Sequence, residues 1–205
     1  MEEDLRLQKK KMRKHILNLR DALTKEEQEA AKRQITERIL AHPWYIQAKM
    51  LLGFASYGSE ICTDAILQDA LRQGKQLFLP KILGDEMQFF QVEDMAGLEI
   101  GFKGIREPSG REKIFAYDEY AAFGEREGQA DGMGQEDMRV LMLMPGTAFD
   151  SSRRRIGYGK GFYDRFLADM PALMPYTIGI CHRCQMVEEV PCGELDLRPA
   201  QVIHV

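Results

Sequence analysis

Cysteine is scarce in this chain. There are four among 205 residues, Cys62, Cys181, Cys184 and Cys192, too few for a disulfide scaffold at this length. Cys181 and Cys184 have the CxxC spacing of a zinc half-site or a redox pair. A zinc site needs a second pair of ligands, and only Cys192 lies nearby, so reduced cysteines at a strand end are expected. Long apolar runs are also missing. No stretch reaches the ~20 apolar residues of a membrane span, and the opening MEEDLRLQKKKMRK lacks the apolar core of a secretory signal. A soluble, cytoplasmic protein with no membrane partner is therefore expected. Nor is there a strong charge of one sign. A net charge of −4 provides no global attraction to nucleic acid.

What is present is ordinary globular composition, 44% hydrophobic and 29% charged. The length fits a single domain over residues 1–205 with a sizeable core, and no internal repeat divides it. A monomer is expected.

Residues 3–20 read as a helix, with Leu5, Met12, Ile16, Leu19 and Leu23 at three- and four-residue steps. Lys9 and Arg13 lie one turn apart on it, so both can face one ligand; a solubilising face is the rival reading. Thr24 and Glu27 form a capping box for a second helix, with Ala31, Ile35 and Ile39 inward and Pro43 at its end. Residues 50–55 read as a buried strand and 56–60 as the turn after it. A helix over 63–72, stopped by Gly74, and a strand over 76–82 follow. This βαβ rhythm implies parallel strands with a right-handed crossover and ligands beyond the strands' carboxyl ends. Glu60 falls at such an end, where a carboxylate can accept two N–H donors from a heterocycle. The alternative is a surface or helix-capping glutamate. A hairpin turn at Gly84-Asp85 leads to a strand over 87–92, and a glycine-bearing loop spans 101–108. Residues 115–123 read as a short helix or an irregular loop, and 124–137 as a mobile polar loop. Further strands are expected over 139–144, 176–181 and 201–205, with a loop bounded by Pro171 and Pro175.

The chemistry concentrates in residues 145–167, PGTAFDSSRRRIGYGKGFYDRFL. Arg153, Arg154, Arg155, Lys160 and Arg165 should create a positive local field. Gly157, Gly159 and Gly161 alternate, and a helix follows. Glycines at alternate positions turn backbone N–H groups towards an anion without β-carbons in the way, and a helix N-terminus adds partial positive charge. The spacing is neither GxxxxGK[ST] nor GxGxxG. An anion-binding loop is the reading, and a glycine-rich turn of purely structural use is its rival. Asp164, on the first helical turn, is placed either to hold a hard cation such as Mg²⁺ or simply to suit the helix dipole.

These residues resemble the 5-formyltetrahydrofolate cyclo-ligase (methenyltetrahydrofolate synthetase) family. PGTAFDSSRRRIGYGKGFYDRFL is similar to its PG-x-x-FD…R-x-G-(Y/R)-G-x-G-(F/Y)-YD signature. Lys9-x-x-x-Arg13, Tyr57 with Glu60 and Thr63, Glu107-Pro108, and Gln185, Val190-Pro191 and Asp196 resemble its other conserved elements. The resemblance implies a three-layer α/β/α sandwich with a mainly parallel sheet, related to the sugar-phosphate isomerase and CoA-transferase group. It also implies an ATP- and Mg²⁺-dependent ring closure of 5-formyltetrahydrofolate, a reduced folate, to 5,10-methenyltetrahydrofolate. The formyl oxygen is phosphorylated and N10 closes the ring. Carried onto this chain, Lys9, Arg13 and Arg155, Ile156, Gly157, Tyr158, Gly159, Lys160, Gly161, Phe162 and Tyr163 would bind ATP, with Lys160 and Arg155 catalytic. Ala55, Glu60, Tyr158, Gly159, Lys160, Gly161 and Phe162 would bind the folate, and Asp164 and Asp196 the metal. Many members carry a second acid four residues after the position of Asp196; here it is Ala200. The CxxC is not a family pattern.

Overall fold

The computed structural model describes residues 2–116, 140–193 and 195–205. The expectation for 124–137, and most of that for 115–123, falls outside them. A six-stranded sheet forms the centre, in the order β10-β9-β6-β1-β2-β3. Its strands are β1 (Met50–Leu52), β2 (Gln76–Leu83), β3 (Glu86–Val92), β6 (Val140–Met144), β9 (Thr177–Cys181) and β10 (Gln201–His204). All are parallel except the edge strand β3, which returns antiparallel along β2. Two small hairpins stand outside the sheet. One pairs β4 (Glu99–Ile100) with β5 (Arg106–Glu107), the other β7 (Ala148–Phe149) with β8 (Arg155–Ile156). The helices are α1 (Glu2–Asp21), α2 (Lys25–Leu40), α3 (Pro43–Gln47), α4 (Asp64–Arg72) and α5 (Phe162–Asp169).

Every residue of β6 and β9 is buried, as in parallel sheets covered on both faces. Alternation along β6 assigns side chains to two cores. Leu141 and Leu143 pack with Leu51, Ile35, Ile39, Ile66 and Leu67 on the α2–α4 side. Val140, Met142 and Met144 pack with Phe78, Phe166, Leu167 and Leu173 on the α5 side. The result is the expected mixed α/β architecture with a mainly parallel sheet between helical layers. No described helix is long and apolar enough to cross a membrane.

The capping box forms as read: Glu27 N–H donates to Thr24 Oγ1 at 3.2 Å and Thr24 N–H to Glu27 Oε2 at 2.8 Å. Two readings are corrected. Pro43 does not end α2, which stops at Leu40; it opens α3 at its first position, where the missing N–H has no intrahelical partner to lose. The inward face of α1 is also turned from the expected stripe. Leu19 is 42% exposed while Arg20 is 4% exposed. The reason is that α1 packs over the β7–β8 hairpin, where Ile16 joins Ala148, Ile156 and Val190, and its inward face extends into a polar site.

The β7–β8 hairpin was not read from the sequence. Its turn is held by Asp150, 1% exposed, which accepts from Arg154 N–H at 3.0 Å, Arg154 Nε at 2.6 Å and Val190 N–H at 2.9 Å. Gln185 braces the corner before it, donating to Gly146 O at 2.7 Å and Thr147 O at 3.0 Å. Gly146 is required there: a β-carbon would lie 2.5 Å from the Phe149 ring.

Burial alone would raise the Asp150 carboxyl, but the hydrogen bonds from Val190 and Arg154 outweigh it and hold its pKa below the usual aspartate value. Its stabilisation is therefore full above the ordinary aspartate range and is lost as pH falls through the depressed value. Asp150→Asn should lower stability at pH 7 by about 2 kcal/mol. In urea titrations the gap to wild type should close as the pH is taken down through that range.

Candidate active site

The site lies at the carboxyl ends of β1 and β6, where the chain leaves the sheet as irregular backbone. After β1, Thr63 secures the turn that carries Glu60. Its hydroxyl donates to Phe54 O at 2.6 Å and its N–H to Ser56 Oγ at 2.8 Å, so Thr63 ties the turn instead of capping α4. Glu60 points at the glycine loop from the other wall. Its Oε2 accepts the Tyr57 N–H at 2.9 Å and its Oε1 a short hydrogen bond from the Tyr158 hydroxyl. Burial raises the pKa of Glu60; the Tyr158 hydroxyl, the Tyr57 N–H and the charge of Arg20 oppose that rise.

After β6, residues 145–149 lead through the hairpin into the loop. Gly159 and Gly161 have φ of +96° and +66°, left-handed conformations that a side chain would strain. Arg13 Nε donates to Gly157 O at 2.8 Å, and a β-carbon on Gly159 would lie 3.3 Å from Arg13 Cζ. Helix α1 is thereby fastened across the loop.

Most of the loop's cations are engaged by the protein itself. Arg153 donates to Ala200 O at 2.7 Å. Arg154 holds Asp150 and reaches Glu189 at 2.7 Å. Arg155, 4% exposed, donates to Pro145 O at 3.1 Å and to both Asp164 oxygens at 3.0 and 3.1 Å. Arg165 donates to Lys160 O at 2.7 Å and Asp85 O at 2.8 Å. Lys160 is exposed, and among the described residues its ammonium has neither hydrogen bond nor ion pair.

Asp164 also accepts the Leu197 N–H at 3.1 Å, which brings the 193–197 segment alongside. Asp196 there is paired with Lys9 and takes the Gly193 N–H. The two expected metal ligands thus lie on adjoining segments, one held by Arg155 and one by Lys9. No group of three or more His, Cys, Asp or Glu forms among the described residues, and one or two carboxylates with phosphate oxygens suffice for Mg²⁺.

Phe162 lies edge-on to Phe102 at 6.3 Å, from the β4–β5 hairpin, with Arg165 over its ring at 5.3 Å. The buried Tyr163 hydroxyl has no hydrogen-bond partner among the described residues. Ile156 and Ala55 are 2% and 4% exposed, each with its side chain in a core cluster. Cys181 is fully buried and burial pushes its thiol pKa up, which suits an inert cysteine. A cavity of about 740 Å³ lies on another face of α1, lined by Leu5, Met12, Val187 and Pro191 among others; none of the expected site residues lines it.

Arg20, Ser59 and Phe102 were missed. For Arg20 a signal existed. Lys9, Arg13, Ile16 and Arg20 follow four-, three- and four-residue steps, one face of a helix, but the apolar stripe beside them took precedence.

Fold and site together define an α/β enzyme whose glycine loop and acidic residues converge at the carboxyl ends of a parallel sheet. Residues 6–205 match the model of the 5-formyltetrahydrofolate cyclo-ligase family, and the chain belongs to that family. It is 31% identical to a probable 5-formyltetrahydrofolate cyclo-ligase of Caenorhabditis elegans over 96% of this chain and 92% of that one. It is 27% identical to the 5-formyltetrahydrofolate cyclo-ligase of Escherichia coli K12, over 89% and 92%. Its fold is similar to the NMR structure of Aquifex aeolicus 5,10-methenyltetrahydrofolate synthetase, with a TM-score of 0.76 and 24% identity over 96% of this chain and 89% of that one.

The two acids should differ in their structural weight. Asp164→Ala strands the buried Arg155 guanidinium and should cost about 3 kcal/mol in urea unfolding. Asp196→Ala frees the better-solvated Lys9 and should cost about 1 kcal/mol. Equal losses would show that Arg155 does not depend on Asp164.

Proposed function

We propose that this enzyme converts 5-formyltetrahydrofolate to 5,10-methenyltetrahydrofolate using MgATP. The observation that carries the reading is the meeting of two unlike walls. Lys160, an unpaired cation, stands on the glycine loop, and the same loop touches Glu60 through Tyr158. A phosphoryl group and a flat heterocycle with an N–H edge would each find a partner there. Residues 1–205 act as one unit in this reading, supported by a sheet that draws strands from residue 50 to residue 204.

Lys9, Arg13 and residues 155–163 bind the nucleotide, and Ala55, Glu60 and residues 158–162 the folate. The pterin donates its N–H groups to Glu60. The folate's formyl oxygen attacks the γ-phosphorus and the bond to ADP breaks. N10 then attacks the activated carbon, phosphate departs with the formyl oxygen, and N10 loses its proton. Lys160 screens charge on the transferred group, and the protein's main contribution is alignment and electrostatics. Asp164 and Asp196 would hold Mg²⁺, which would neutralise charge on the phosphates. Lys9 and Asp196, paired with each other here, would turn to the phosphate and the metal respectively when these are bound. Arg155 acts through Asp164, whose carboxylate it holds in place.

The test follows methenyl-folate absorbance with purified protein, MgATP and 5-formyltetrahydrofolate; no product at high enzyme concentration overturns the reading. Lys160→Ala should lose about a hundredfold in kcat, the roughly 3 kcal/mol of one charged transition-state contact. Glu60→Gln should raise the folate KM about tenfold, ~1.4 kcal/mol, with the ATP KM little changed. Only ionised Glu60 accepts two N–H donors. Wild-type folate affinity should therefore fall as pH drops through the raised Glu60 pKa, and in Glu60→Gln that dependence should vanish.

A further inference from the structure

Arg20 is a buried guanidinium with no carboxylate in direct contact among the described residues. Its Nε donates to Ser59 Oγ at 2.9 Å and its Nη1 to the Tyr158 hydroxyl at 2.7 Å, with the guanidinium 5.8 Å from the Tyr158 ring centroid. Each hydroxyl donates its own hydrogen bond to a carboxylate, Ser59 to Asp21 and Tyr158 to Glu60. Arginine donates only and does not lose its proton in proteins. Both hydroxyls must therefore accept from Arg20, and each has a single proton left to give. The direction of the chain Arg20→Tyr158→Glu60 is settled by that inventory.

We propose that Arg20 is a positioning residue for the folate site. It orients the Tyr158 hydroxyl, and through it the Glu60 carboxylate, so that α1, the glycine loop and the folate acid are set as one unit. The proposal rests on the reading of Glu60 as the pterin's acceptor. Arg20→Met removes the buried charge itself and strands no cation, and the Ser59 and Tyr158 hydroxyls keep their carboxylate acceptors, Asp21 and Glu60. What Arg20 supplies is orientation, and a positive charge beside a carboxylate that burial pushes towards its neutral form. Charged and titratable groups around Glu60 are Arg20, Tyr158 and Tyr163; His182 and Cys184 lie near enough to feel Arg20.

The experiment measures 5-formyltetrahydrofolate and ATP affinities by calorimetry on the full chain, with melting temperature alongside. Wild type, Arg20→Met, Arg20→Lys, Tyr158→Phe and the Arg20→Met/Tyr158→Phe double variant are compared. Arg20→Met should bind folate about tenfold more weakly at an unchanged melting temperature. The pH at which its folate affinity falls should move upward, because the charge that favours ionised Glu60 is gone. Arg20→Lys keeps the charge without the fork; it should hold the wild-type pH dependence while losing part of the affinity. The double variant should lose no more than the weaker-binding single variant, as members of one chain do. Losses that multiply, or folate affinity unchanged in Arg20→Met, overturn the proposal. If Arg20→Met fails to fold, Tyr158→Phe decides: folate affinity and its pH dependence equal to wild type would overturn it. Wild type that binds no folate at all would instead remove the functional reading on which it rests.

Discussion

The Arg155 guanidinium governs the geometry of this enzyme's site. It is buried, so its charge must be met by protein acceptors, and it takes them from both ends of one segment. Pro145 O lies where β6 leaves the sheet and Asp164 in the first turn of α5. The residues between are thereby closed into a loop whose span is set by a single planar fork. Asp164 in turn accepts the Leu197 N–H, which draws in the segment bearing Asp196 and, through it, Lys9 of the first helix. Remove the ion pair and three segments lose their common reference.

This arrangement divides labour among cations that are similar as sequence. Arg153, Arg154, Arg155 and Arg165 brace backbone and carboxylates. Lys160 alone in that loop stays unpaired among the described residues. Planar guanidinium groups suit this bracing because they bond several acceptors in fixed directions, whereas an ammonium on a flexible stem is free to follow a reacting group. Much of the local positive charge serves the shape of the loop, and the shape presents the lysine.

Much was legible beforehand, for reasons that can be named. The apolar run of β6, the capping box of α2 and the glycine stop after α4 are set by neighbours a few residues away. The GxGxG spacing and Asp164 were visible for the same reason. The β7–β8 hairpin was hidden because its turn is held by Asp150 and Val190, forty residues apart. The resemblance assigned Ala55 and Ile156 to the ligands; their side chains belong to the cores, which leaves their backbone to face the site.

The sequence by itself determined the alternation of the main sheet strands and helices, the glycine spacing of the loop and the membership of one enzyme family. These follow from periodicity, spacing and local chemistry. Only the tertiary structure decided which face of α1 turns inward, that Arg20 joins Glu60 through Tyr158, and that Lys160 is the loop's unpaired cation among the described residues. Those outcomes depend on partners brought together by the sheet: Arg13 meets Gly157 across 144 residues and Tyr158 meets Glu60 across 98. Spacing along a chain carries no information about such meetings, because burial and hydrogen-bond satisfaction are decided by the whole packed molecule.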